Sequence, residues 1–105
     1  DPFLAEFRAA HTLEDPFIWG DFNLFPGFVD GYQPTPGESA LSARMTDYWA
    51  NFARTGDPNG GSLPVWPRYD PNGERTLALD ETRTVLERYH AQECAFMDTL
   101  PMIFP

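Results

Sequence analysis

Between Asp15 and Tyr32 the chain places nine large apolar residues, Phe17, Ile18, Trp19, Phe22, Leu24, Phe25, Phe28, Val29 and Tyr32, on a backbone interrupted by Pro16, Gly20, Pro26, Gly27 and Gly31. Proline inside a helix removes a backbone donor and collides with the preceding turn, and clustered Gly and Pro mark turns, so no long regular element is expected here. The segment predicts short helical turns and loops. So much apolar surface on so irregular a path needs a larger body to lie against, because large contiguous apolar patches are unusual on soluble monomers.

The other segments do not supply that body. In "TPGE", Thr35 is placed to cap a helix, Pro36 suits the first helical position and Glu38 can bond back to the cap. Leu41, Met45, Tyr48, Trp49 and Phe52 then recur at helical spacing, with Ser42, Arg44, Thr46, Asp47, Asn51 and Arg54 directed elsewhere. This predicts an amphipathic helix over about 36–55, stopped by Gly56. Residues 56–75 hold four Pro and four Gly, a structureless connection longer than the ~12–15 residues usual in a self-contained domain. Trp66 and Tyr69 are expected to pin it to a surface. "TLALD" and "RTVLERY" predict strands over about 76–80 and 83–88 around a turn at Asp80 to Thr82. "HAQECAFMDTLPMIF" predicts a helix over about 90–100 with an apolar side of Ala91, Cys94, Ala95, Met97 and Leu100. Residues 1–10, with Phe3, Leu4 and Phe7, fit either a short helix or an extended lead-in. One long helix, a shorter one and a lone hairpin cannot enclose nine Phe and three Trp as an independent two-layer domain. The expectation is a fragment of something larger.

Composition narrows the classes. A 42% hydrophobic and 15% aromatic chain is globular material. A net charge of −9, from seven Arg and sixteen acids with no Lys, repels phosphate backbones and argues against nucleic acid as a partner. No apolar run approaches the ~20 residues of a membrane span, and "DPFLAEF" has neither the basic region nor the cleavage site of a signal peptide. The abrupt start is compatible with a leader on a longer precursor, which leaves the compartment open, secretion being slightly preferred. Cys94 has no second cysteine to pair with inside the chain. It is expected to be a buried thiol, the alternative being a bridge to another chain.

The chemistry-bearing segment is "HTLEDPFIWG". Its spacing of His11, Glu14, Phe17 and Gly20 resembles the histidine segment of the type B carboxylesterase and lipase family, the α/β-hydrolases that include the cholinesterases, whose wording is close to His-Gly-x-Glu-x-x-Phe-x-Phe-Gly. "ALSARMTDYWANFARTGDPN" is similar to that family's late amphipathic helix and the turn after it. "VWPRYDP", "TLALD" and "ECAFMDTL" follow in the family's order. Thr12 stands where the family normally has Gly, and Met97 where it normally has Trp. A β-branched Thr12 does not readily adopt positive φ, so this loop must either keep ordinary dihedrals or carry strain.

The resemblance implies an α/β fold of which this chain is a C-terminal fragment, amphipathic helices plus a short strand pair, without a domain of its own. It implies carboxylic ester hydrolysis through an acyl-enzyme, with no metal or organic cofactor. His11 would be the general base, which suits an imidazole because its ionisation lies near working pH. The family's nucleophile sits in a Gly-x-Ser-x-Gly elbow upstream of the acid and the histidine. No such motif occurs in these residues, so serine and acid are expected on an N-terminal chain or the remainder of the same enzyme. Judged by type alone, His11 is a packed or solvent-edge histidine. Glu14 is either an anchor of the histidine loop or a helix cap. Phe17, Trp19 and Phe22 are either core or the wall of a pocket for a small ester. His11 and Glu14 with the distant His90 make a poor zinc site, because the paired ligands of known motifs are missing, and His90 is expected at the surface. The helix over 36–55 and the last helix are either buried faces or a dimer surface. The rival expectations are a non-catalytic, cholinesterase-like adhesion domain and an independent acidic interaction module.

Overall fold

A computed structural model describes residues 10–23, 31–82 and 84–101. Leu24, Phe25, Phe28 and Val29, the lead-in through residue 9, and residue 83 of the second expected strand lie outside them.

The histidine segment leads into α1, Asp15–Trp19, a helix of five residues with Pro16 in its first turn. Gly20 ends it at φ 66, and its amide bonds the Pro16 carbonyl. This is the left-handed C-terminal stop that glycine adopts without a Cβ penalty.

α2 spans Pro36–Thr55. The Thr35 hydroxyl accepts the Glu38 amide at 3.2 Å, and the Glu38 carboxylate accepts the Thr35 amide at 2.7 Å. Two amides that a helix start leaves free are thereby satisfied. Leu41, Met45 and Tyr48 are buried along one face, and with Leu77 they are the buried apolar residues of the described segments. Trp49 and Phe52, expected on that face, are exposed, Phe52 by 60%. Ser42, expected to point elsewhere, is instead only 4% exposed. Its hydroxyl turns inward because a backbone carbonyl of α1 needs a donor there.

The connection over 56–75 contains no helix or strand, yet it is held. The Asn59 side chain accepts the Trp66 amide at 2.6 Å and donates to the Trp66 carbonyl at 3.2 Å, while the Tyr48 hydroxyl donates to the Pro64 carbonyl at 2.6 Å. Trp66 meets Tyr48 edge to face at 5.2 Å, a favoured aromatic geometry. Tyr69, expected to help pin the loop, is 64% exposed within these segments.

The strands are shorter than expected. β1, Thr76–Leu77, pairs antiparallel with β2, Val85–Leu86, in the register Thr76 opposite Leu86 and Leu77 opposite Val85. The Ala78 amide adds one more bond to the Thr84 carbonyl at 2.9 Å. Beyond it the Thr82 hydroxyl bonds the Asp80 carboxylate at 2.9 Å. Such local side-chain bonding competes with ladder formation.

α3, Ala91–Asp98, stops short of Leu100, which lies just beyond it, and buries none of its residues. Cys94 is exposed, contrary to the expectation of a buried thiol, because α3 packs against no other described element. The assembly is thus a helix pair, a minimal hairpin and a terminal helix. No helix among the described residues is long and apolar enough to cross a membrane.

Candidate active site

His11 is exposed, four residues ahead of α1. It lies in a turn closed by the Leu13 amide on the Ala10 carbonyl at 3.2 Å, and the Asp15 amide closes the next turn on the Thr12 carbonyl at 3.1 Å. The residue after the histidine takes the strained option, since Thr12 has φ 76. For a β-branched side chain this is a genuine outlier, and such strain persists only where the surroundings over-determine it.

Glu14 occupies the N-cap position of α1 but makes no side-chain capping bond. Its backbone does the work, the carbonyl accepting the Phe17 and Ile18 amides at 3.0 Å each. Phe17 and Phe22 meet edge to face at 5.2 Å, and Phe22 lies 5.9 Å from Tyr32. Phe22 also lines an open groove with Gly20, Pro34, Ser39, Ser42 and Thr46. Trp19 is 70% exposed and does not line it. His90 is at the surface as expected, capping α3 at φ 57 within 3.4 Å of Glu93. Among the described residues, no group of three or more His, Cys, Asp or Glu side chains is gathered to hold a metal ion.

Two features of this region were not visible as function in the sequence. Ser42 and Thr46, one turn apart on α2, donate their hydroxyls to the Phe17 and Ile18 carbonyls, both at 2.8 Å. Near the start of α2, the Tyr32 hydroxyl donates to Glu38 at 2.6 Å. Burial, reinforced by that bond and by the carboxylate's charge, pushes the Tyr32 phenol up to about 12. Burial alone would raise Glu38, but hydrogen bonds from Tyr32 and from the Thr35 amide and hydroxyl outweigh it and lower the carboxyl below its ordinary value.

A short helix carrying a histidine turn, clamped to a long capped helix and followed by a hairpin, is an arrangement shared with α/β-hydrolase esterases of known structure. The chain superposes on the carboxylesterase of Geobacillus stearothermophilus with a TM-score of 0.68 at 32% identity, covering 81% of this chain and 18% of that one. A thermophilic PNB esterase gives a TM-score of 0.68 at 28% identity over 79% of this chain. The Carboxylesterase family model matches residues 2–97, and the chain belongs to that family. Mouse carboxylesterase 5A is 45% identical over 91% of this chain, and bovine carboxylesterase 4A is 47% identical over 88%. The chain spans 17% of the mouse protein's length and 16% of the bovine one's.

Proposed function

We propose that this segment supplies the catalytic histidine of a serine carboxylesterase whose nucleophile and acid lie outside these 105 residues. His11 takes the proton of a serine hydroxyl as its oxygen attacks the ester carbonyl. The imidazolium then gives that proton to the departing alkoxide, leaving an acyl-enzyme. In the second half, His11 deprotonates water, which attacks the acyl group, and returns the proton to the serine. A carboxylate from the remainder of the enzyme holds the imidazole tautomer. Glu14 does not take that role, since it sits in the turn directly after that of His11 and is exposed. Phe22 in its groove is the pocket candidate best placed to meet part of a small ester; no metal or organic cofactor enters the cycle.

The observation that carries this reading is the placement of His11, exposed in a strained turn directly ahead of α1. In the assembled enzyme, His11→Ala is expected to cut ester turnover about a thousandfold or more while the fold is retained. Turnover at the parent rate in that variant removes His11 from the mechanism. Intact mass with N-terminal sequencing of the purified enzyme identifies the companion polypeptide or remainder. A companion with another residue in place of the elbow serine turns the reading toward a binding protein.

A further inference from the structure

α1 is too short to hold itself in place. A helix leaves its last four carbonyls without internal partners, which in five residues is nearly all of them. The Pro16 carbonyl is satisfied locally by the Gly20 and Asp21 amides. The next two, Phe17 and Ile18, are satisfied from outside, by the Ser42 and Thr46 hydroxyls at 2.8 Å each. Residues four apart share one face of a helix, so α2 offers two donors in line, matched to two consecutive acceptors on α1. Gly20 completes the fit, ending α1 beside Ser42 in a left-handed conformation, φ 66, that a side chain would strain.

From this clamp a hydrogen-bonded path runs back to the histidine. The Phe17 and Ile18 amides bond the Glu14 carbonyl, the Asp15 amide bonds that of Thr12, and the Leu13 amide bonds that of Ala10. No residue between His11 and the clamp lies outside a turn or the helix. The far side of the path is anchored too, since α2 is capped at Thr35 and buried through Leu41 and Met45. A strained Thr12 needs such anchoring, or the turn would relax and carry the imidazole with it.

We propose that Ser42 and Thr46 are positioning residues for His11, two hydroxyls on α2 that fix the register of α1 and thereby the location of the imidazole. This rests on His11 being the general base. Losing either donor frees a carbonyl of α1, part-buried at Phe17 and exposed at Ile18, and lets α1 shift; misplacements near 1 Å cost about a hundredfold in rate.

The test uses the assembled enzyme with a chromogenic p-nitrophenyl ester. Ser42→Ala and Thr46→Val are each expected to lower kcat about tenfold, and the pair about a hundredfold, with KM within about twofold. Thr46→Ser keeps the hydroxyl and restores kcat. Tyr48→Phe is the matched control: it removes another hydroxyl-to-carbonyl bond from α2, part-buried like that of Ser42, but the carbonyl belongs to Pro64, away from the histidine. It should lose comparable stability at parental kcat. Amide exchange of residues 13–21 reads the clamp independently of catalysis and should accelerate in Ser42→Ala and Thr46→Val only. Faster exchange with unchanged kcat, in an enzyme that His11→Ala inactivates, overturns the positioning role. Equal kcat losses in Tyr48→Phe and the clamp variants overturn it as well. Full turnover in His11→Ala overturns the base assignment instead, whatever the exchange data show.

Discussion

At the scale of single residues, the decisive deviation is Thr12. At φ 76 it holds a conformation that costs an ordinary side chain roughly 1–2 kcal/mol. Glycine takes that conformation freely but costs about 0.5–1 kcal/mol of extra backbone entropy on folding. Thr12→Gly is therefore expected to stabilise the assembled enzyme by up to about 1 kcal/mol, seen as a higher urea midpoint, whereas Thr12→Val should not. A lower midpoint for the glycine variant would mean that the turn carries no strain. The Tyr32 and Glu38 pair makes a second prediction, with opposite signs at the two ends of the pH scale. Glu38 is lowered from 4.5, so its contribution is present above that value and lost as pH falls through the depressed one. Tyr32 is raised from 10.0 to about 12, so its contribution is complete below pH 10.0 and lost as pH rises toward about 12. In a phenolate absorbance titration, the difference between the parent and Tyr32→Phe should show a group ionising later than a free tyrosine. Ionisation at the ordinary value would break the assigned bond.

At the scale of elements, α2 is the piece whose limits rest on local signals. Thr35→Ala removes a reciprocal cap and is expected to cost about 1 kcal/mol; Gly56→Ala forces a Cβ into φ 76 and should cost a similar amount. Both are read from chemical denaturation of the assembled enzyme, and unchanged midpoints would mean that the ends of α2 fray regardless of capping. This locality is why α2 was legible in the sequence: caps and apolar spacing act within a few residues. The hairpin was legible in kind but not in length, because nothing in "TLALD" shows that Asp80 and Thr82 bond each other instead of extending the ladder. Burial was the least legible property. The apolar spacing at Cys94, Trp49 and Phe52 is the same whether or not a neighbour covers them. The site shows the same division. His11 stands out through a motif, whereas Ser42 and Thr46 resemble any polar residues beside an apolar stripe until the unpaired carbonyls of α1 are set opposite them. Thr12 could be flagged as a conflict, but which way it resolves depends on the turn.

At the scale of the molecule, very little is enclosed among the described residues. The radius of gyration is 16.7 Å, against about 13 Å for a compact chain of this length, and Trp19, Phe52, Tyr69, Phe96 and Met97 stand largely in solvent. The isolated 105 residues are thus expected to melt broadly and to bind an apolar fluorescent dye before heating. A sharp two-state transition without dye binding would show instead that they fold alone. Against this open background, the connection after α2 is unusually well tied. Asn59 grips Trp66 at its base, and Gly60 cannot gain a side chain without pressing on Asn51, 3.1 Å from where its Cβ would stand. Gly61 next to it meets nothing within 4 Å, and Ser62 is exposed. Exposed tips on fixed stems accept foreign sequence with little disturbance. In the isolated segment, an epitope spliced between Gly61 and Ser62 would be displayed outward, giving a handle for capture or fluorescence that leaves the histidine turn untouched.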